Sequence, residues 1–74
     1  MKLYELVHFQ GSYKNRYIPL LETHFPIARE SWGGRCIVES LRGEGLFIVD
    51  TMTGFRMAWC ATFEDMQADD WQRH

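Results

Sequence analysis

This 74-residue sequence lacks closely spaced cysteine or histidine pairs of the kind that bind metal ions. The two cysteines, Cys36 and Cys60, each lie inside an apolar run, and no C-x-x-C or H-x-x-x-H pair occurs. Zinc and iron sites are usually built on such pairs, so His8 and His24 are not expected to hold a metal. We therefore expect no metal and no cofactor, and two cysteines that are buried as small apolar side chains. A single disulfide is possible by count, but reduced thiols are favoured because no secretory signal is recognisable.

Long apolar runs are also absent, because no run approaches the roughly 18 residues that a bilayer-spanning helix needs. The sequence begins Met1-Lys2-Leu3 and reaches Glu5 before any long apolar stretch develops, so no secretory signal is recognisable. These absences predict a cytoplasmic protein without membrane contact. A chain of 74 residues is expected to form a single small globular domain, 1–74, with a thin core.

No arrangement of side chains matches a common catalytic or phosphate-binding motif. The glycines at 33–34 and 43–45 are not followed by a helix with lysine and serine or threonine at the required spacing, so they are interpreted as turns. Cysteine–histidine and paired-carboxylate combinations exist by composition, but none lies in a context that would activate it. We therefore expect that the protein is not an enzyme.

Aromatic residues are abundant for so small a chain. They make up 15% of the sequence and apolar residues make up 46%, which predicts a packed globule rather than a disordered chain. Aromatic side chains that a thin core cannot hide must lie partly exposed, and exposed tryptophan, tyrosine and arginine commonly anchor binding interfaces. A small core built from large side chains explains the same composition, so both interpretations stay open.

The charges are unevenly distributed along the chain. The net charge of −2 argues against general polyanion binding. Residues 1–42 contain six of the eight lysines and arginines, whereas residues 43–74 contain six of the ten acids. Such an asymmetry can orient a partner during encounter, unless folding intermixes the two halves.

The second half of the sequence carries the clearest secondary-structure signals. Three strands that form an antiparallel meander are predicted there: Cys36–Leu41, Leu46–Asp50 and Phe55–Ala61. The turn between the last two has Gly54 where a hairpin favours a positive φ angle. Alternate residues of the last strand are expected to be buried against Phe47 or Ile48: Phe55, Met57 and Trp59.

A short C-terminal helix is predicted after the meander, because Thr62 and Asp65 form a pattern related to the capping box. The last residues, 72–74, are expected to fray. In the first half, a strand is predicted at Leu3–Phe9 and a short helical turn near residues 19–25. The predicted fold class is α+β: a small twisted antiparallel sheet of about four strands, with barrel-like closure left open, and one short C-terminal helix.

Two groups of residues have compositions that the predicted scaffold does not require. The first interleaves bases with aromatic rings and continues toward the glycine pair at 33–34: Tyr13, Lys14, Arg16, Tyr17, Arg29, Trp32 and Arg35. The second is the acidic end: Asp69, Asp70 and Trp71. Either group suits contact with a protein partner, and the first also suits nucleic acid. A loop that packs on the sheet and a solvated helix face explain the same patterns.

In its size and its lack of a catalytic motif, the chain is similar to the small proteins that phages and mobile elements make to inhibit host machinery, such as RNA polymerase or a defence complex. This resemblance implies a non-catalytic protein-binding regulator or inhibitor. The alternative is a small nucleic-acid-binding regulator that uses the bases and tyrosines at 13–17, and its binding should weaken steeply as salt rises. A homodimer that completes the thin core is also left open.

Overall fold

The computed structural model describes residues 1–10, 20–41 and 43–74. Within these residues the chain has two single-turn 3-10 helices, at Leu3–Glu5 and Glu30–Trp32, and one α-helix, α1, at Phe63–Gln67. The strands, in chain order, are β1 (His8–Gln10), β2 (Leu20–Glu22), β3 (Ile27–Arg29), β4 (Cys36–Leu41), β5 (Gly45–Asp50), β6 (Arg56–Ala58) and β7 (Trp71–Arg73).

These strands form two antiparallel sheets. The larger sheet has the order β6-β5-β4-β3-β7, and β1 pairs with β2 in a separate two-stranded sheet. The predicted meander is confirmed as β4, β5 and β6. The α+β class is consistent with these sheets and α1, whereas a barrel-like closure is not confirmed.

The turn between β5 and β6 is held by local hydrogen bonds, which explains why the sequence predicts it. Asp50 Oδ1 accepts hydrogen bonds from the backbone N–H groups of Met52 (2.8 Å) and Thr53 (3.1 Å), and Gly54 has a φ of 78°. The two backbone donors stabilise the charged carboxylate, so the pKa of Asp50 is lowered. These bonds join residues within five positions of one another, and Thr51 adds longer-range bonds to the backbone carbonyls of Gly34 and Arg35.

The predicted capping box at the start of α1 is confirmed. The hydroxyl of Thr62 accepts a hydrogen bond from the backbone N–H of Asp65 at 3.1 Å, and the Asp65 carboxylate accepts one from the N–H of Thr62 at 3.1 Å. These two bonds satisfy backbone donors that the first turn of a helix leaves free. Among the described residues, no helix is both long enough and apolar enough to cross a membrane.

The prediction that the C-terminal residues fray is wrong. After α1 the chain turns back as β7 and pairs with β3, with Ile27 opposite Arg73 and Arg29 opposite Trp71. Only one pair joins β3 to β4, so β7 provides β3 with most of its ladder. A strand of three residues is too short to show a period of two in the sequence, and its partner lies some 40 residues away in the chain.

The first half differs more from the sequence-based expectations. The predicted strand at Leu3–Phe9 is a 3-10 turn followed by the short strand β1. The predicted helical turn near residues 19–25 is wrong, because β2 lies there and pairs with β1, with His8 opposite Glu22. Pro26 already disfavours helix at the preceding residue, and pairing with β1 satisfies the backbone instead.

The core lies on one face of the larger sheet, where Ile27, Val38 and Trp71 are its most deeply buried large side chains. A row of facing residues crosses the sheet from Ile27 through Val38 and Ile48 to Met57. Burial fades along this row, since Ile27 and Val38 are fully buried, Ile48 is half-buried and Met57 is 55% exposed. The predicted burial of Phe55 and Met57 is therefore wrong, because the core ends before it reaches β6.

Candidate functional site

Four of the predicted contact residues lie outside the described part of the chain: Tyr13, Lys14, Arg16 and Tyr17. The nucleic-acid alternative depends on these residues and stays a prediction. The other six belong to β3, to the residues just after it, and to the segment that leads into β7. The pairing of β3 with β7 brings these two parts of the chain together.

Arg29 connects the two predicted groups through ion pairs. Its Nε donates to Asp70 Oδ1 at 2.9 Å, and its Nη1 lies 3.4 Å from Asp65 Oδ1 and 3.8 Å from Glu64 Oε1. The backbone N–H of Ser31 donates to the second carboxylate oxygen of Asp70 at 3.0 Å. Both oxygens of Asp70 therefore accept hydrogen bonds from the β3 side of the sheet.

These contacts favour the charged form of Asp70. The hydrogen bond from Arg29 is the main cause that lowers the pKa of Asp70 from an ordinary value of 3.8 to about 2, and the bonds from Ser31 act in the same direction. The same hydrogen bond raises the pKa of the Arg29 guanidinium. Arg29 and Asp70 thus have an internal structural role. This role is sufficient to explain why the sequence contains them, and no contact with a second protein is needed for that explanation.

Trp71 lies in the core instead of on a contact surface, because it is 1% exposed. Its indole N–H donates to the backbone carbonyl of Asp65 at 2.8 Å. The rings of Trp32 and Trp59 meet it edge-on, with centroids 5.2 Å and 5.8 Å away. A three-ring cluster of this kind fastens β7 and the residues around it to the sheet.

Asp69 and Arg35 are exposed, as a contact residue should be, and Trp32 is half-buried. The Asp69 carboxylate lies 3.1 Å from Lys2 Nζ, which also donates to the backbone carbonyl of Gln67. An exposed ion pair of this kind contributes little stability and leaves the carboxylate accessible. The acidic end therefore presents Asp69 to solvent, while Asp70 faces Arg29.

A surface that the sequence did not predict lies between the first 3-10 helix, the two-stranded sheet and α1. It is an open groove of about 480 Å³, and we call it the apolar face; its lining residues are Leu3, Tyr4, Val7, Phe9, Leu21, Ala61 and Met66. Tyr4 and Phe9 stand 73% and 72% exposed beside it. Contiguous exposed apolar surface is uncommon on small soluble domains and commonly marks a binding site.

The sequence missed the apolar face because it predicts a strand at Leu3–Phe9, and the side chains of a strand alternate between two faces. The 3-10 turn at Leu3–Glu5 changes which side chains point inward: Leu3 and Leu6 are buried, whereas Tyr4 is exposed. The abundance of aromatic residues was the available signal, but it could not say which rings are exposed.

A second cleft, the histidine cleft, lies nearby and has a mixed lining: Met1, Glu5, Leu6, Val7, His8, His24, Phe25 and Arg73. The imidazole rings of His8 and His24 stack with centroids 4.4 Å apart and planes 17° apart. The guanidinium carbon of Arg73 lies 4.0 Å from the centroid of the Phe25 ring. The cleft therefore presents flat aromatic surfaces beside a fixed positive charge.

The thiols and carboxylates of the described residues form no cluster of three or more metal-ligating side chains. Both cysteines are free, but the expectation that both are buried is wrong for Cys60, which is exposed. Cys36 is half-buried, and desolvation by its surroundings raises the pKa of its thiol. Its thiolate is thus disfavoured, and thiolate is the reactive form of cysteine.

Comparison with known proteins gives one family. No curated protein and no solved structure matches this chain. Residues 15–73 match the domain described as Tad2-like, the Thoeris anti-defense 2-like domain. The match covers β2 to β7, and with them the larger sheet, α1 and the Arg29–Asp70 pair. The chain therefore belongs to the Tad2-like family and carries a Thoeris anti-defense 2-like domain.

Proposed function

We propose that this protein is a non-catalytic, phage-type inhibitor that neutralises a protein of the Thoeris defence system by binding it stoichiometrically. The family description supports a defence component as the target, and it gives no support to RNA polymerase. The proposal places the main contact on the apolar face. Two large side chains there, Tyr4 and Phe9, are more than 70% exposed, and this is the observation that carries the proposal.

The chemistry of the apolar face suits a protein partner. Its lining is almost entirely hydrocarbon and aromatic ring, contributed by elements that are far apart in the chain. Aromatic anchors of this kind supply most of the free energy in many protein interfaces, because they remove a large apolar area from water at a small cost in side-chain entropy. Binding by such a surface needs no chemical step.

The test replaces Tyr4 and Phe9 with serine, singly and together. Removal of a central aromatic anchor costs on the order of 2 kcal/mol, so the affinity for the bound Thoeris protein should fall about 30-fold for each change. Binding is measured with each purified Thoeris protein immobilised in turn, and neutralisation is measured in cells that carry the system.

Met52→Ser is the matched control, because Met52 is an even more exposed apolar residue that lies in the β5–β6 turn and does not line the apolar face. It should bind and neutralise as the wild type does. Melting temperatures identify any variant that has lost its fold. Wild-type neutralisation by a folded Tyr4→Ser, Phe9→Ser double variant would reject the apolar face as the contact.

A second candidate is the capture of an anionic small molecule of the same defence system in the histidine cleft. The observation that favours it is the combination of Arg73 over Phe25 with the stacked rings of His8 and His24. Flat aromatic surfaces stack on planar bases and a nearby guanidinium pairs with phosphate, so this combination suits a nucleotide.

The test titrates ADP as a probe and follows the NMR signals of the cleft. Arg73→Gln should weaken binding at least tenfold, whereas Arg56→Gln, which removes an exposed arginine elsewhere, should not. Equal ADP affinity in both variants, or none in the wild type, would remove this candidate. The Tyr4 and Phe9 variants should keep any binding that belongs to the histidine cleft, which distinguishes the two candidates.

A further inference from the structure

The two edge strands of the larger sheet, β7 and β6, differ in whether other described residues bond to their outer sides. At the β7 edge, the backbone N–H of Trp71 donates to the carbonyl of Met1 at 3.1 Å, and the amino group of Met1 donates to the carbonyl of Trp71 at 3.2 Å. Met1 thus covers that edge at Trp71. At the other edge, no described strand lies beside the outer side of β6.

The backbone groups that β6 leaves open can be identified from its bonds to β5. The N–H of Trp59 donates to the carbonyl of Leu46 at 3.0 Å, and the N–H of Asp50 donates to the carbonyl of Phe55 at 2.9 Å. Successive residues of a strand point their backbone groups to opposite sides. The N–H and C=O groups of Arg56 and Ala58 therefore point away from β5, toward the open edge.

The side chains of β6 indicate what would cover that edge. Met57 lies opposite Ile48 and ends the row that begins at the fully buried Ile27 and Val38. An added strand would extend this row by one more position. An apolar side chain at that position would cover Met57, which the chain itself leaves 55% exposed.

Apart from its length of three residues, β6 has little of the usual protection of an open edge. Natural sheets guard their edges with charged side chains, proline or bulges. The only charge on β6 is Arg56, and its Nη2 is bonded to Glu39 Oε1 on β4 at 2.7 Å. The guanidinium is therefore held across the face of the sheet, where it does not block an approaching strand.

We propose that β6 binds an extended segment of the protein partner as an added strand, with an apolar side chain of that segment beside Met57. This proposal rests on the proposed function, in that the apolar face supplies the main contact. A three-residue ladder buries far less than the roughly 1,200 Å² of a stable interface, so pairing of two copies through β6 alone would be weak. A partner already held by the apolar face needs no such area at β6.

The test uses a probe peptide of alternating threonine and valine, with a lysine at each end, at millimolar concentration. Alternating β-branched residues favour strand formation and supply the apolar side chain. In wild-type protein we expect NMR shift changes and slower amide exchange at Arg56 and Ala58. Ala58→Pro removes one outward N–H without touching the ladder to β5, so it should weaken peptide binding at least tenfold.

Ala58→Val is the matched control, since it keeps the N–H and suits a strand, and it should bind the peptide as the wild type does. Equal binding by the proline variant, shifts confined to other residues, or no binding would overturn the proposal. Shifts at Arg56 and Ala58 that depend on protein concentration without peptide would assign the edge to a second copy instead. No Thoeris protein takes part in this test, so its failure is separate from a failure of the apolar-face variants.

Discussion

Substitution of Asp70 is expected to have a clear effect on the free energy of unfolding. Replacing it with asparagine keeps the shape but removes the charge from the bonds to Arg29 Nε and to the N–H of Ser31. Hydrogen bonds to a charged group contribute about 1.5–3 kcal/mol when buried, but the Asp70 side chain is 26% exposed, which lowers the value. We expect Asp70→Asn to lower the free energy of unfolding by about 1 to 2 kcal/mol at pH 7.

The pH dependence of this effect has a definite sign. Because the folded protein lowers the pKa of Asp70 to about 2 from an ordinary value of 3.8, its stabilising effect is complete above about pH 5 and is lost as the pH falls through 2. The stability difference between the wild type and Asp70→Asn should therefore shrink progressively below pH 5.

Urea unfolding at several pH values, followed by tryptophan fluorescence, measures the loss in the free energy of unfolding at pH 7 and its dependence on pH. Asp69→Asn is the matched control, because the Asp69 side chain is 84% exposed and makes one exposed ion pair. It should change the free energy of unfolding by no more than about 0.5 kcal/mol. An Asp70→Asn effect that equals the Asp69→Asn effect, or that stays constant from pH 7 to pH 2, would refute the reasoning.

Two further predictions concern the tryptophan cluster and the thiols. Trp71→Ala should lower the free energy of unfolding, measured in urea, by about 3–5 kcal/mol. Trp59→Ala should lower it clearly less, because Trp59 is half-buried. Equal losses would contradict the packing described for Trp71. A thiol reagent at pH 7 should label Cys60 quickly and Cys36 slowly, because desolvation raises the pKa of Cys36; Cys60→Ser should remove the fast phase and leave the slow one.

The parts of the fold that the sequence predicted correctly are those held by neighbours in the chain. The turn at Asp50–Gly54 closes through bonds within five residues, and the Thr62–Asp65 capping box closes within four. The meander follows from such turns, because each strand lies beside the next one in the chain. Propensity and turn chemistry act over this distance, so they are visible in the sequence.

The parts that it predicted wrongly depend on partners that are distant in the chain. β2 forms against β1 across residues 11–19, in which the sequence indicates no hairpin turn, and β7 forms against β3 across more than 40 positions. The same pairing places Arg29 and Asp70 in an ion pair and Trp71 in the core, while their contact with a partner stays a prediction. The sequence marked these residues as unusual, but it did not show that Arg29 and Asp70 contact each other.

By itself, the sequence determined a small α+β domain with an antiparallel meander and a capped helix, and it indicated that some of its many aromatic rings could be exposed. Tertiary structure alone decided which rings those are. The pairing of β3 with β7 draws Trp71 inward, while the 3-10 turn at Leu3–Glu5 leaves Tyr4 on the surface. The physical reason is that a side chain is buried by contacts with segments that are distant in the chain. A local sequence pattern reflects only the contacts between neighbouring residues.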